Sequence, residues 1–278
     1  MQIKMEIKFK AETHKYESIS DPEKKWISTT SLVGLFKPKF DADKQSVKSS
    51  KNKKSKWYGM SPEEIREAWA NESNRATSLG SWYHDQREKE LLMYETIKRE
   101  GIDLPIIHPI EQDGIKLSPS QTLTPGIYPE HLVYLKSARI CGQADRIEVV
   151  GDTVNVYDYK TNKEIKTKPY TSWDGKKACL EGPLAHVGDC NLNHYALQLS
   201  IYMYVILKHN HTLKPGKLQI HHIKFEVEDK DSNGYPIIAT DAAGDPIIKE
   251  VVPYDLPYMK KEVNAMIKYL KLHPEVYD

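Results

Sequence analysis

Asp145, Asp158 and Lys160 lie within one short stretch, residues 140–162, at a spacing that could support hydrolytic chemistry. The stretch contains two runs rich in valine, isoleucine and tyrosine, joined by Gly151-Asp152, a pair typical of a two-residue hairpin turn. If these two residues form the loop, each step outward along one strand is matched by one step along the other. The pattern therefore predicts that Asp145 lies opposite Asp158.

Both carboxylates are predicted to lie on the apolar face of this hairpin, because side chains alternate between the two faces of a strand. Opposite side chains have Cβ atoms roughly 4.5–5.5 Å apart, so two carboxylates there repel each other, and burial disfavours their ionisation further. A positive group must offset this repulsion. Lys160, two residues after Asp158, is one candidate and a divalent cation is the other; both together would form an active site. A longer turn would shift the register and separate the two acids.

A histidine on a predicted helix is a further candidate for this site. Residues 61–64 form a capping box with proline at the first helical position, which predicts a helix to about residue 71, and a second helix is predicted over residues 76–100. Gly80 and His84 share one face of the second helix, and a mid-helix glycine indicates close packing at that turn. Taken alone, His84 is equally compatible with a surface or core role.

The helix predicted over residues 193–208 is apolar nearly all round and should therefore be buried. Gln198 and Tyr202 share one of its faces, where a structural role is also possible. Around these elements the pattern predicts strands at residues 2–9, 25–28, 130–136 and 217–227, and a short helix at 31–36 capped by Thr29, Thr30 or Ser31. It also predicts a loop with short strands at 101–128, an irregular segment at 163–191, hairpin-like turns at 232–246, and an amphipathic helix at 256–272.

A basic segment over residues 37–56 contains eight lysines and little apolar material, and is predicted to be flexible or weakly helical. Such a run is commonly a solvated surface. It could instead contact phosphates, because clustered lysines bind polyanions without sequence preference. The candidates for such contacts are Lys51, Lys53 and Lys54.

Composition limits the classes of protein without selecting one. Lysine and arginine total 40 against 39 aspartates and glutamates, so net charge neither favours nor excludes nucleic-acid binding. The three cysteines lack paired spacing, which argues against a disulfide framework and favours a reducing, cytoplasmic setting. No apolar run is long enough to suggest a membrane span or signal peptide, so we expect a soluble intracellular protein.

Four short motifs occur in order along the chain: Gly80-x-x-x-His84, Gly142-x-x-Asp145, Asp158-Tyr159-Lys160-Thr161 and Gln198-x-x-x-Tyr202. Together they resemble the RecB-like branch of the PD-(D/E)XK nucleases, over roughly residues 14–207. Two stretches of this region, residues 14–36 and 190–206, look most like the phage-encoded members. The resemblance implies an α/β (α+β mixed) fold, in which a central mixed β-sheet flanked by helices forms a restriction-endonuclease-like core.

The resemblance also implies roles for individual residues. It assigns divalent metal to four groups: His84, Asp145, Asp158 and the backbone carbonyl of Tyr159. Lys160 would position the attacking water or stabilise charge on the phosphate, Gln198 and Tyr202 would brace the site or contact substrate, and Glu130 matches an upstream acid of some members. Magnesium suits the oxygen ligands, while the histidine shifts the preference toward manganese. The cysteine quartet of the iron–sulfur members is missing, so no cluster is expected.

We therefore predict one nuclease domain over residues 1–278, with an N-terminal region at 1–75 and a core at about 76–228. Its predicted activity is that of a metal-dependent DNA exonuclease acting on DNA ends or single strands in phage or bacterial recombination, repair or processing. Helicase motifs are missing, so unwinding would need a helicase or recombination partner. Two alternatives stay open: a structure-specific endonuclease using the same site, and a non-catalytic subunit that binds nucleic acid through residues 37–56.

Overall fold

The computed structural model of the protein describes residues 6–11, 13 and 15–277. Its helices are α1 Thr29–Gly34, α2 Ala42–Lys51, α3 Pro62–Leu92, α4 Asn191–His209 and α5 Lys260–Leu272. Its strands are β1 Ile7–Lys10, β2 Lys15–Ser18, β3 Ile27–Ser28, β4 Thr96–Arg99, β5 Ile102–Pro105, β6 Ile110–Gln112, β7 Ile115–Leu117, β8 Gly126–Leu135, β9 Ile140–Val150, β10 Thr153–Lys160, β11 Lys214–Phe225, β12 Val227–Lys230, β13 Pro236–Ile238 and β14 Ile248–Leu256.

A six-stranded sheet forms the centre of the fold, in the order β14-β11-β10-β9-β3, with β8 also paired to β9. Strands β10 and β11 run parallel because α4 lies between them in the chain and returns it to the same edge, whereas β8, β9 and β10 pair as an antiparallel meander. The sheet is therefore mixed. The predicted fold class, a mixed fold with a central mixed sheet flanked by helices, is confirmed.

The main hydrophobic core lies between this sheet and helices α1, α4 and α5. Helix α4 is buried along most of its length, as its apolar sequence predicts, because the sheet covers one side and α1 and α5 cover others. The inward face of β9 and β10 contributes four fully buried side chains to this core: Ile147, Val149, Val154 and Val156. The same face carries the two predicted aspartates, so their surroundings are largely apolar.

Helix α3 corrects the prediction of two helices at 61–71 and 76–100. One helix runs from Pro62 to Leu92. The capping box at Ser61 starts it, and no proline or left-handed residue interrupts it before Leu92. It ends earlier than predicted, since the chain turns into the β4–β5 hairpin. Glu100 and Gly101 form the turn between β4 and β5, with φ values of 50° and 84°.

The C-terminal part of the chain also differs from the prediction. Strand β14 was not predicted; it pairs antiparallel with β11 at the edge of the central sheet, and the final helix begins at Lys260 rather than at residue 256. The exposed face of this edge strand carries Val251 and Pro253 between Lys249 and Asp255, so it lacks a clear apolar–polar alternation. The terminal strand predicted at 2–9 is observed at Ile7–Lys10, while residues 1–5 lie outside the described residues.

The short helix α1 is capped one residue earlier than predicted. Ser28 is the N-cap, and its hydroxyl accepts a hydrogen bond from the Ser31 N–H at 3.0 Å. Thr29 is therefore free to turn inward, where it is 1% exposed. Part of the basic segment is also more regular than predicted, because Asp41 caps the ten-residue helix α2.

Candidate active site

The β9–β10 hairpin has the register that its turn predicts. Thr153 pairs with Val150, and the pairing continues outward to Tyr157 and Arg146. Gly151 occupies the left-handed region, with φ of 60°, as a tight hairpin turn requires. One further step along this register places Asp145 opposite Asp158, and both carboxylates are buried.

A third acid extends this pair onto the neighbouring strand. β8 pairs with β9 through Pro129–Arg146 and His131–Ala144, so Glu130 lies opposite Asp145. The backbone of Glu130 has a φ of 47°, a strained conformation for a residue other than glycine. Glu130, Asp145 and Asp158 thus form a row across β8, β9 and β10, which we call the acid row. The side-chain amide of Gln143 donates a hydrogen bond to Glu130.

Helix α3 brings His84 to this row. Its Nδ1 lies 3.5 Å from an oxygen of Asp145 and 3.6 Å from an oxygen of Glu130. The helix can approach closely because it carries a glycine one turn earlier: a Cβ on Gly80 would lie 3.3 Å from the hydroxyl of Thr161. Ligand atoms of His84, Glu130 and Asp145 all lie within 4.8 Å of one another, a spacing that could hold one metal ion.

Lys160 reaches the other end of the row. Its ammonium forms an ion pair with Asp158 and lies 5.0 Å from the centre of the Tyr195 ring. Asp145 is oriented separately, because one of its oxygens accepts the backbone N–H of Tyr159 at 2.6 Å. The two opposing aspartates therefore have different partners, one an ammonium and the other a backbone amide and an imidazole.

The charges in this site perturb one another strongly. Burial raises the pKa of Asp158, and the neighbouring charge of Asp145 adds to the effect, giving a pKa of about 6. Burial also raises the pKa of Asp145. Burial alone would lower the pKa of His84, but the carboxylates of Asp145 and Glu130 outweigh it and raise that pKa to about 9. Burial would likewise lower the pKa of Lys160, but the carboxylates of Asp158 and Asp145 outweigh it and raise that pKa above its usual range. The row thus attracts positive charge.

Gln198 and Tyr202 of α4 support the row from the core side. The amide of Gln198 donates to Asp158 at 3.4 Å and to the Tyr202 hydroxyl at 3.3 Å. The Tyr202 hydroxyl in turn donates to the Gln143 carbonyl at 2.9 Å and accepts from Thr29 at 3.0 Å. These bonds connect α4 and α1 to the strands that carry the acids.

The hydrogen bonds of Tyr202 explain why a glycine, Gly142, lies three residues before Asp145. A Cβ on Gly142 would lie 2.7 Å from a ring carbon of Tyr202 and 3.0 Å from Thr29. Sequence reasoning missed Thr29, Gln143 and Tyr195 as neighbours of the site. Only the glycine signalled that a large side chain crosses the strand there.

The basic segment lies away from the acid row. Lys51, Lys53 and Lys54 are exposed, and the Gly59 N–H bond to the Ser50 carbonyl holds their segment next to the start of α3. His84 lies about 33 Å further along that helix, at 1.5 Å per residue. The structure therefore brings His84, Asp145, Asp158 and Lys160 into one site, but the group with metal-ligand spacing is His84, Glu130 and Asp145, without Asp158. The three lysines lie apart from this site. Their role in substrate binding stays a prediction.

The residues at the row fit a hard divalent cation. Buried carboxylates on adjacent strands leave an excess of negative charge that Lys160 and His84 offset only in part, and carboxylate oxygens are the ligands that magnesium and manganese prefer. The fourth predicted ligand is the backbone carbonyl of Tyr159. The side chain of Tyr159 packs in a second hydrophobic cluster with Tyr83, Ile223 and Phe225.

None of the helices within the described residues is long and apolar enough to cross a membrane.

Comparison with known proteins places this geometry in a family. The family model of the PD-(D/E)XK nuclease superfamily matches residues 50–271. The crystal structure of SSO0001 is 14% identical in sequence, with a TM-score of 0.33 over 90% of this chain and 76% of that one. A comparison with curated proteins finds no significant match. The family match spans most of the chain and includes the acid row, Lys160 and the helix that braces them; the chain belongs to the PD-(D/E)XK nuclease superfamily, whose members are metal-dependent nucleases.

Proposed function

We propose that this protein is a metal-dependent DNA exonuclease that hydrolyses phosphodiester bonds at DNA ends or in single-stranded DNA. The observation that carries the proposal is the acid row, with Lys160 at one end and His84 beside its centre. A purely structural role would not favour three buried acids on adjacent strands, because like charges so close destabilise the fold. A site that binds a cation and a phosphate would use them.

The proposed ligands of a magnesium or manganese ion are His84, Asp145, Asp158 and the carbonyl of Tyr159, with Glu130 as an additional acid. When bound, such an ion lowers the pKa of water and neutralises charge on the phosphate. Asp145 is held for this task by the Tyr159 N–H, and Glu130 by the Gln143 amide. No cluster-forming role is proposed for the cysteines.

Lys160 supplies the fixed positive charge of the proposed mechanism. Because Asp158 and Asp145 keep its pKa high, the ammonium stays protonated and can donate to a phosphate oxygen or to the attacking water. Gln198 orients Asp158 through its amide, and Tyr202 ties Gln198 to the strand before Asp145. These two residues thus hold the reacting groups in place.

We further propose that residues 1–278 act as a single nuclease domain in the cytoplasm of a bacterium or a phage-infected host, within DNA recombination, repair or processing. The central sheet supports a single domain, because β3 from the N-terminal region and β14 near the C-terminus belong to it. The order of the four motifs supports the RecB-like branch, and the sequence of residues 14–36 and 190–206 supports the phage-encoded type. Unwinding of duplex substrates would come from a helicase or recombination partner.

The proposal is tested with end-labelled linear and covalently circular single-stranded DNA, incubated with magnesium or manganese. An exonuclease degrades the linear strand and leaves the circle intact. Lys160→Ala and Asp158→Asn should abolish degradation, while Lys261→Ala, on the outer side of α5, should not. Equal cutting of the circle would instead indicate an endonuclease. Unchanged activity of Lys160→Ala would contradict the site itself and favour a binding subunit.

A further inference from the structure

A groove of about 1080 Å³ lies beside the acid row, between α3, the end of β10 and the C-terminal strands. We call it the α3 groove. It has aromatic and aliphatic walls and a charged rim, and its lining includes Arg75, Leu79, Trp82, Lys163, Phe225 and Lys230. Nothing in the proposed hydrolytic mechanism uses these side chains.

The groove begins where the candidate active site ends. Its lining includes Thr161, Asn162 and Lys163, which directly follow Lys160. On the opposite wall, α3 contacts Thr161 at Gly80, one turn before His84. The groove and the acid row are therefore neighbours, separated by the contact between Gly80 and Thr161.

The walls of the groove offer flat apolar surface. The Trp82 ring lies 6.2 Å from the Phe225 ring, and its Nε1 donates to Asp245 at 3.1 Å, so the indole is fixed in orientation. Val227 and Ile237 are 49% and 36% exposed on the facing hairpin. Immobilised aromatic and aliphatic surface of this kind is suited to planar rings.

The rim of the groove carries an excess of positive charge. Five cationic residues line it, Arg75, Lys163, Lys224, Lys230 and Lys249, against two acids, Glu72 and Glu250. Arg75 and Lys224 are engaged by these acids. Lys163 and Lys230 are exposed, and within the described part of the chain neither has an ion-pair partner. Two lysines are therefore available to a bound anion.

The far end of the groove meets the basic segment. The ammonium of Lys56 donates to the Asn233 carbonyl at 2.7 Å, in the turn between β12 and β13, and lies 4.1 Å from the Tyr235 ring centre. The hairpin that forms one wall thus contacts residues 37–56. The groove follows α3 from the region of His84 back toward Lys51, Lys53 and Lys54, which lie too far from the acid row to act there alone.

We propose that the α3 groove binds a single strand of nucleic acid, with bases against Trp82 and phosphates at Lys163 and Lys230, and delivers it to the acid row. The inference rests on the proposed nuclease function and specifies its substrate as single-stranded. Aromatic platforms beside lysines are what a single strand requires, since it exposes both bases and phosphates. A duplex keeps its bases stacked inside and would need only the charges.

The test measures binding of fluorescent oligothymidine of about 20 nucleotides by anisotropy in EDTA; single-strand site sizes are about 4–16 nucleotides. Trp82→Ala should weaken binding by roughly 5- to 150-fold, the range for losing one stacked base. Lys163→Ala/Lys230→Ala should weaken it and reduce the slope of log affinity against log salt by about 1.4, or about 0.7 per lost phosphate contact. A blunt duplex should respond to the lysine variant but hardly to Trp82→Ala.

A double variant with the same change in charge, Lys261→Ala/Lys268→Ala on α5, provides the control and should bind like the wild type. The lysine variant changes only exposed side chains, so it keeps the test valid if Trp82→Ala unfolds. Wild-type affinity in both groove variants would overturn the inference and leave the groove to another ligand. Because no metal is present, binding and cleavage separate: a wild type that binds but cuts no DNA refutes the nuclease proposal, not the groove.

Discussion

The two faces of the β9–β10 hairpin bury charge in opposite ways. On one face Asp145 and Asp158 lie beside Glu130, with Lys160 and His84 as the nearby cationic groups. On the other face Glu148 is 2% exposed and pairs with Arg99 at 3.0 Å and Arg146 at 3.4 Å. The Arg146 guanidinium also lies 4.2 Å from the Tyr157 ring centre.

The difference separates structural from functional charge. The charge of the Glu148 carboxylate is balanced by two arginines of the same chain, so it needs no bound cation. The acid row brings Asp145 and Asp158 together, and burial raises the pKa of both carboxyl groups, which means that the folded state holds their charge at a disadvantage. A bound cation would remove that disadvantage. Substitutions on the two faces should therefore have opposite effects on stability.

The largest effect on stability is expected on the structural face. Glu148→Gln leaves two arginines without their carboxylate, and loss of one partner from a buried pair lowers the free energy of unfolding by about 3–5 kcal/mol. Urea denaturation measures it. Asp152→Asn in the same hairpin is the control, because its pair with Lys214 is exposed to solvent and therefore contributes little to stability. Equal small losses would show that the Glu148 pairs are not structural.

On the functional face Asp145→Asn should abolish function without loss of stability. The amide oxygen can still accept the Tyr159 N–H, while the repulsion with Asp158 disappears. Without metal, the free energy of unfolding should be unchanged or higher, yet cleavage of single-stranded DNA should fall by about 10²–10³-fold or more. A destabilisation as large as that of Glu148→Gln would remove the distinction between the faces.

Two histidines, His84 and His131, have pKa values shifted in opposite directions, so the difference between charged and neutral burial can also be tested by pH. His84 meets acids and its pKa rises, whereas burial without a charged partner lowers the pKa of His131 to about 4. The unfolded chain takes up this proton near pH 6.5, so the stability from neutral His131 is complete above that pH and is lost as pH falls toward 4. The loss is about 3 kcal/mol.

The check is the free energy of unfolding between pH 4 and 7. His131→Phe should remove the His131 contribution, so that stability falls less toward pH 4 than in the wild type, while His211→Gln, at an exposed position, should keep the wild-type dependence. Parallel curves for the wild type and His131→Phe would assign the pH dependence to other groups.

The smallest effect is expected where α4 crosses β9. Gly142→Ala places a methyl group 2.7 Å from the Tyr202 ring and should lower stability by about 1–3 kcal/mol while displacing the Gln198 brace from Asp158. The melting temperature and the rate of DNA cleavage should both decrease. Gly34→Ala serves as the control, because nothing lies within 4 Å of its Cβ and alanine favours its helix. A neutral Gly142→Ala would mean that α4 can shift without consequence.

The sequence predicts the hairpin register because the turn and the apolar alternation are both local. Gly151-Asp152 sets the pairing of Asp145 with Asp158 one residue at a time, and the structure follows it. The buried helix α4 is similarly evident from its unbroken apolar composition. The mixed sheet was predicted only through the family resemblance of the motifs.

What the sequence could not supply depends on contacts between distant residues. The left-handed backbone of Glu130 is one example, because no local sequence pattern favours it at that position. Thr29 reaches Tyr202 across 173 positions of the chain, and β14 is fixed by pairing with β11 rather than by its own period. Beyond Asn71, helix α3 packs through Leu79, Trp82 and Tyr83 against a cluster that includes Tyr159, Ile223 and Phe225, and its local sequence does not reveal these contacts.

The most direct test is a crystal soaked with manganese, with the anomalous signal locating the ion. We predict a peak at the acid row, within about 2.0–2.6 Å of carboxylate oxygens from both Asp145 and Asp158, that disappears in Asp145→Asn. A crystal in which manganese binds only elsewhere, with the acid row unchanged, would contradict a metal-dependent site at these residues.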